Sequence, residues 1–279
     1  MAELEPESEA SGFLKPLYQQ EFQYISDLVY HYCGINLHQG KKELVRARLS
    51  RRLRDLDMGS FKEYCDYLKS GANSEEMNTM INILSTNLTS FFRENKHFEF
   101  LQKQLPVFLK DREREGRHKF RLWSTACSSG EEPYSMAVVL AEEIPKFPRI
   151  DAKILATDIS SRVLQKAMAG NYTKARLKEF PPHLKVKYFK YDGGNYQVCD
   201  EIKRLITFKQ LNVIGLWPFK GPFDIIFCRN MMIYFDKATQ ARLIERFEDY
   251  LAPGGYLFVG HSESLVGIPH HLKYVEPTI

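Results

Sequence analysis

At 279 residues, with 44% hydrophobic and 27% charged side chains, the chain has the composition of a globular protein large enough for one big domain or two modest ones. A net charge of +4 does not by itself mark a nucleic-acid binder, and no apolar run reaches bilayer-spanning length. Five scattered cysteines without a CxxC pair indicate neither a disulfide framework nor a metal site, so a reducing cytoplasm is the expected compartment.

In chain order, MAELEPESEASG carries four glutamates and no basic n-region, so residues 1–12 read as a disordered acidic tail and not as a secretory signal. From Phe13 the pattern is helical. FQYISDLVYHYCGI places Phe22, Ile25, Leu28 and Val29 at three-and-four spacing. KKELVRARLSRRLRDL does the same with Val45, Leu49, Leu53 and Leu56, which leaves Arg48, Arg51 and Arg54 on the opposite side of the wheel. Lys41 to Arg54 holds seven basic residues against one Glu, a local stripe that suits an acidic partner. SFKEYCDYLKSG reads as a short helix stopped at Gly71, and SEEMNTMINILSTNL as another opened by Ser74. The expected N-terminal module is all-helical over 13–85, with its basic helix at 41–56.

After a charged stretch, Lys110 to Lys119, the texture changes. FRLWSTAC, AKILATDIS, KRLITFKQLNV, FDIIFCRN and GGYLFVGHSES read as strands. EPYSMAVVLAEEI reads as an amphipathic helix with Pro133 in its first turn, SRVLQKAMAG as a second helix, and KATQARLIERFEDYLAP as a third closed by Pro253-Gly254-Gly255. Alternating strands and helices predict an α/β domain over 118–279 with a parallel, doubly wound sheet. VKYFKYDGGNYQVCDEI breaks the rhythm as a hairpin insertion over about 186–206. The closing YVEPTI reads as the last strand of the sheet, with a short tail missing after it.

Ligands of such a sheet bind outside the carboxyl ends of its strands. There lie Ala126-Cys127-Ser128-Ser129-Gly130, then Asp158, then Asn212, then Arg229-Asn230. The GxGxxG fingerprint and the GxxxxGK loop are both absent, and Glu131 and Glu132 would repel a phosphate at the following helix start. A nucleoside with a ribose for Asp158, no phosphate and a cationic end fits better, and S-adenosylmethionine is such a molecule. Taken singly, Asp158 also reads as a helix cap and the two glutamates as favourable charges at a helix start.

Five stretches then carry a resemblance: NLTSFFRE (Asn87 to Glu94), WSTACSSGEEPYS (Trp123 to Ser135), ATDIS (Ala156 to Ser160), FDIIFCRNMMIYFD (Phe223 to Asp236) and GGYLFVGHSESL (Gly254 to Leu265). In this order and spacing the chain resembles the CheR family of chemotaxis receptor glutamate methyltransferases over nearly its whole length. The resemblance implies a class I S-adenosylmethionine-dependent methyltransferase domain with a Rossmann-like sheet. It adds a small all-α N-terminal domain, a linker over 86–117 that closes over the cofactor, and an inserted antiparallel β-subdomain. It implies cofactor contacts at Asn87, Thr89, Arg93, Glu132 with Glu131 beside it, Asp158, Asn212-Val213 and Arg229-Asn230, with Arg93 and Tyr234 near the transferred methyl. The local reading of NLTSFFRE alone is a capped helix start with Phe91 and Phe92 in the core.

The implied partner is the cytoplasmic helical region of a chemoreceptor, docked by Arg48, Arg51 and Arg54, and the implied product is S-adenosylhomocysteine. No membrane insertion, no nucleic acid, no metal and a monomer are expected. The connection KYDGGNYQVCDEIKRL is compact, so a tether to a receptor's terminal peptide is not expected. Two rivals are a nucleic-acid methyltransferase and a non-catalytic adaptor. The first lacks the Pro-Pro-aromatic signature after the fourth strand and an aromatic-interleaved basic groove; the second is opposed by the intact Asn87, Arg93, Asp158, Asn230 and Tyr234.

Overall fold

The computed structural model describes residues 16–70 and 74–279. The acidic tail expected over 1–12 and the stop expected at Gly71 lie outside them. The chain divides into two compact units, one of the residues up to Tyr32 with Asn36–Leu84, the other of Cys33–Ile35 with Ser85–Ile279.

The first unit is helical: α1 (Gln19–Cys33), α2 (Lys42–Asp55), α3 (Phe61–Lys69) and α4 (Ser74–Leu84). Its core follows the periodicity, with Phe22, Ile25 and Val29 of α1, Val45, Leu49 and Leu53 of α2, Tyr64 of α3 and Met80 of α4 all buried. Ser60 caps α3 by accepting from the Glu63 N–H while its hydroxyl donates to the Glu63 carboxylate, a reciprocal box worth about 1 kcal/mol. Buried Glu76 of α4 accepts from Arg52 and from the Tyr64 hydroxyl, fastening α2 and α3 to α4. Among the three stripe arginines, Arg51 and Arg54 are exposed, whereas Arg48 is half-buried and donates to the Leu84 carbonyl at the end of α4. Arg48 is thus a tie within the unit as well as a surface charge.

The second unit opens with an irregular segment, 85–95, and then α5 (Lys96–Arg114). The sequence reading gave no helix over 96–114, and the capped helix start read locally in NLTSFFRE is not formed, since 87–94 is irregular. The apolar stripe Phe98, Leu101, Leu105, Leu109 is regular, but Pro106 within it and the charged run after it disguise a 19-residue helix. Then come β1 (Lys119–Ser124), α6 (Glu131–Glu143), β2 (Asp151–Asp158), α7 (Ser161–Ala169), β3 (Asn171–Thr173), α8 (Pro182–Tyr188), β4 (Phe189–Asp192), β5 (Asn195–Val198), α9 (Asp200–Lys203), β6 (Ile206–Gln210), β7 (Phe223–Cys228), α10 (Lys237–Tyr250) and β8 (Leu251–Val259).

Five strands pair in parallel in the order β6-β2-β1-β7-β8. The order doubles back at β1, so the switch point lies between β1 and β7. Alternate residues feed two cores. Phe120, Leu122, Ile225, Phe227 and Phe258 face the side carrying α5 and α6, while Trp123, Ile226, Leu257 and Val259 face the side carrying α10. Almost every side chain of α6 from Pro133 to Ala141 is buried, so this helix is central and not amphipathic as its sequence suggested.

Three further expectations are corrected. The antiparallel sheet has three strands, β3-β5-β4, and so begins at Asn171, well before the DGGN turn that announced it. Pro253-Gly254-Gly255 does not close a helix: α10 ends at Tyr250, and the three residues form a bulge in β8, where the pairing jumps from Phe223↔Leu251 to Ile225↔Tyr256. YVEPTI is not a strand; its link to the sheet is the Val259 N–H donated to the Thr278 carbonyl.

Candidate functional site

The loop after β1 is shaped by two left-handed residues, Ser128 at φ 48° and Gly130 at φ 98°. A Cβ on Gly130 would fall 2.8 Å from the Tyr172 hydroxyl and 2.9 Å from Ala167 Cβ, so glycine is required by space as well as by φ. The loop is stitched to its neighbours by Thr125 N–H to the Phe227 carbonyl at 3.0 Å and Cys127 N–H to the Thr157 carbonyl at 2.9 Å.

Asp158 ends β2 beside this loop. Its Oδ2 accepts from the Ser128 N–H at 2.8 Å and its Oδ1 from the Ser160 N–H at 2.9 Å. Burial pushes its carboxyl above the usual value, against the pull of those N–H groups. The cap of α7 is Ser160, whose hydroxyl accepts from the Val163 N–H, so Asp158 is not the capping residue.

The paired glutamates at the start of α6 differ. Glu131 is fully buried; the Ser129 hydroxyl donates to its Oε2, Arg176 lies 3.5 Å from its Oε1, and that oxygen makes no hydrogen bond. Glu132 is turned to the strand ends, accepting from the Ser124 hydroxyl at 2.7 Å with Arg229 Nη1 at 3.3 Å. Burial drives its carboxyl upward, opposed by Arg229, Ser124 and, more weakly, Arg93. A buried acid held in this state is suited to a cationic ligand.

The segment 87–94 is tied down to this same unit. Ser128 Oγ donates to the Asn87 carbonyl at 3.0 Å, Arg176 to the Thr89 carbonyl at 2.9 Å, and the Phe92 N–H to Ser135 Oγ at 3.0 Å. Phe91 packs on Tyr172, Phe180 and Phe189, and Phe92 on Phe98 and Phe180, as the local reading of the two rings held. The half-buried Arg93 donates to the Leu88 carbonyl at 2.8 Å.

After β7, the Arg229 guanidinium is 1% exposed. It donates to Glu94 Oε2 and to the Arg93 carbonyl, and pairs with Glu132. Asn230, left-handed at φ 56°, donates its amide to Glu94 Oε1 at 3.0 Å. Although burial raises the Glu94 carboxyl, the Asn230 amide, Arg229 and the His261 N–H together hold it below its usual value. Tyr234 is half-buried in a short 3-10 turn, Met232–Tyr234, and its hydroxyl makes no hydrogen bond among the described residues. After β6, Asn212 turns its Oδ1 to the Ile214 N–H at 3.3 Å, and Val213 is buried against the Trp217 side.

The strand ends therefore gather Glu131, Glu132, Asp158 and Arg229-Asn230; the Arg93 carbonyl accepts from Arg229, while the Asn87 and Thr89 carbonyls accept from Ser128 and Arg176, the neighbours of Asp158 and Glu131. Sequence reasoning missed Glu94, Arg176 and Glu263. Glu94 closes NLTSFFRE and Glu263 lies in GHSESL, so motif membership was their only signal, and Arg176 had none. Glu94, His97 and His261 bring potential ligand atoms within 4.8 Å of one another, but both Glu94 oxygens already accept from Asn230 and Arg229. A cavity of about 1120 Å³ over β8 and the C-terminal segment borders none of the residues expected to bind the cofactor or the acceptor.

Two family descriptions match. Residues 20–85 match the CheR methyltransferase all-alpha domain and residues 87–279 the CheR methyltransferase SAM binding domain. A probable chemotaxis protein methyltransferase of Rhizobium etli is 42% identical over 249 residues, covering 88% of this chain and 92% of that one. Chemotaxis protein methyltransferase 2 of Pseudomonas aeruginosa is 41% identical over 266 residues, covering 94% and 92%. The Escherichia coli chemotaxis protein methyltransferase is 41% identical over 248 residues, covering 87% and 84%. With a doubly wound sheet, a helical N-terminal unit and these matches along both, the chain belongs to the CheR family of S-adenosylmethionine-dependent methyltransferases.

Proposed function

We propose that the chain methylates glutamate side-chain carboxylates on the cytoplasmic helices of chemoreceptors, giving methyl esters and S-adenosylhomocysteine. The observation that carries this reading is the gathering of two carboxylates, the buried Asp158 and the mostly buried Glu132, around a loop without a phosphate-binding fingerprint at the switch point of the sheet. Asp158 would take the ribose hydroxyls, Glu132 the positive end of the donor, and Asn212-Val213 the base edge. Glu131, locked by Ser129, shapes the loop. Asn87, Thr89 and Arg93 lie on the segment that would close over the nucleoside.

The donor supplies an electrophilic methyl on a sulfonium. The acceptor glutamate, with a pKa near about 4.3, is already ionised at neutral pH, so no side chain of this protein has to remove a proton. The O–CH3 bond forms as the S–CH3 bond breaks, and carboxylate and sulfonium charges are lost together. The work left to the protein is alignment and exclusion of water. Arg93 orients the incoming carboxylate by a charge-assisted bond, from N–H groups other than the one given to the Leu88 carbonyl. Tyr234, whose hydroxyl makes no hydrogen bond among the described residues, steers the second oxygen or walls the methyl pocket.

The exposed Arg51 and Arg54 of α2, with Arg48, dock against acidic receptor helices. The reading further includes a monomer acting in the cytoplasm, without nucleic acid; no helix among the described residues is long and apolar enough to cross a membrane. The deciding experiment supplies labelled donor to the purified protein with receptor or with RNA. Base-labile label on receptor is expected; label on RNA, or no affinity for the donor by calorimetry, refutes it.

A further inference from the structure

GHSESL belongs to the matched sequence, yet none of its residues has a place in the reaction described above. Its Glu263 is 7% exposed, and its carboxylate is spent on backbone N–H groups. Oε2 accepts from Asn230 at 2.8 Å and from Gly260, and Oε1 accepts from Ile233 at 3.2 Å. Two of these three donors lie in the turn after β7, the one that begins at Asn230 and ends at Tyr234.

That turn needs a restraint. Asn230 sits at φ 56°, a conformation unfavourable for a residue with a Cβ and maintained only where surrounding bonds impose it. Gly260 allows the carboxylate to come close: a Cβ there would fall 2.5 Å from Asn230 Nδ2 and 2.8 Å from both Asn230 N and Glu263 Oε2. The glycine and the glutamate of one motif thus act on the same neighbouring turn. A carboxylate is needed because it is acceptor-only on both oxygens. Glutamine would turn an NH2 group towards one set of these donors.

We propose that Glu263 is a positioning residue for methyl transfer, fixing the Asn230–Tyr234 turn so that Asn230 meets Glu94 and Tyr234 borders the reacting methyl. This rests on the role given to Tyr234 above. Gly260 is the space that permits the clamp. Glu263 touches neither donor nor acceptor and acts through the turn it holds.

The test uses the full chain, with methyl transfer to receptor measured for Glu263→Gln and Gly260→Ala, each alone and combined with Tyr234→Ala. In the wild-type background each is expected to lower kcat by about 10²-fold, the penalty of a misplacement of about 1 Å, while the circular dichroism of the fold is retained. In the Tyr234→Ala background the same changes are expected to cost less than about 3-fold, because the group they position is gone. Equal losses in both backgrounds, wild-type kcat in Glu263→Gln, or loss of the fold in both variants would each overturn the proposal. Full turnover in Tyr234→Ala alone would instead refute the role of Tyr234 and remove the basis of the coupling. An impaired Tyr234→Ala with additive losses would sink Glu263 while leaving the proposed reaction standing.

Discussion

Arg229 was expected as a cofactor contact, and its surroundings give it a second duty. Its guanidinium donates to Glu94 and to the Arg93 carbonyl and lies 3.3 Å from Glu132, so the segment before α5 and the start of α6 are drawn to one side chain. Replacing it with Gln leaves Glu94 and Glu132, whose side chains are 12% and 13% exposed, without their counter-charge, and about 3 kcal/mol of stability should be lost in urea unfolding. Arg93→Ala should behave differently. Its side-chain hydrogen bond is to the Leu88 carbonyl and its effect on Glu132 is weak, so the fold should persist, donor binding should survive in part, and turnover should fall by about 10²-fold or more. Full turnover in that variant would remove Arg93 from the reaction.

His97 adds a pH dependence. Its ring is 1% exposed, Nδ1 makes no hydrogen bond and lies 3.7 Å from Glu94 Oε2, and burial, assisted by Arg229 and opposed by Glu94, pushes its pKa down from 6.5 to about 4. The unfolded chain therefore binds a proton between those values that the folded chain refuses. Its contribution is fully present above pH 6.5 and is lost as pH falls towards 4, by about 3 kcal/mol. His97→Phe, which keeps the ring contacts with Phe227 and Phe258 but gives up the 2.6 Å bond between Nε2 and the Thr278 hydroxyl, should flatten that part of the stability profile. Raised carboxyls at Glu132 and Asp158 act in the opposite sense, so the slope between the two variants, and not the total slope, is the measurement. At this scale the sequence reveals residues whose position relative to a strand end has chemical meaning, such as Asp158 and Glu132. It hides Glu94 and Glu263, because a carboxylate that binds backbone N–H groups looks like any surface acid until the loops are folded.

Among the elements, α2 and α5 teach opposite lessons. The apolar period of α2 was plain, and its basic face was visible, but the Arg48 bond to Leu84 was not. Charge reversal at Arg51 and Arg54 is consequently the cleaner test of docking, since Arg48→Glu would also strip a partner from the end of α4. Receptor affinity should drop in the double variant and should fall with salt in the wild type, over a Debye length of about 8–10 Å. Indifference to both would end the docking role. In α5 the period was equally regular but was read through Pro106 and a charged run as linker. The helix is held to β7 through Arg112, which pairs with the buried Asp224, whose other oxygen accepts from the Arg121 N–H at 2.7 Å. Arg112→Leu should cost about 3–5 kcal/mol, because Asp224 would keep its place without its cation.

For the whole molecule, the alternation of strands and helices was enough to foresee a doubly wound sheet, since strands buried on both faces write themselves as apolar runs. The three-stranded insertion was seen only at its tight turn, because β3 is three residues long and pairs with β5, more than twenty residues further along the chain. The bulge in β8 was mistaken for a helix stop because Pro-Gly-Gly serves either purpose locally, and only the partner strand decides between them.

Glu132 carries a consequence for the end of each catalytic cycle. A buried acid whose ionisation is opposed by its surroundings gains most from a neighbour that brings positive charge with it. In the role proposed for Glu132, sulfonium becomes an uncharged thioether when the methyl leaves, and the attraction between that carboxylate and the donor would be discharged by the reaction itself. On that reading this contact should hold the spent nucleoside less firmly than the fresh one, which would favour exchange. Glu132→Gln should narrow the calorimetric gap between the two nucleosides, weakening the charged one more than its product.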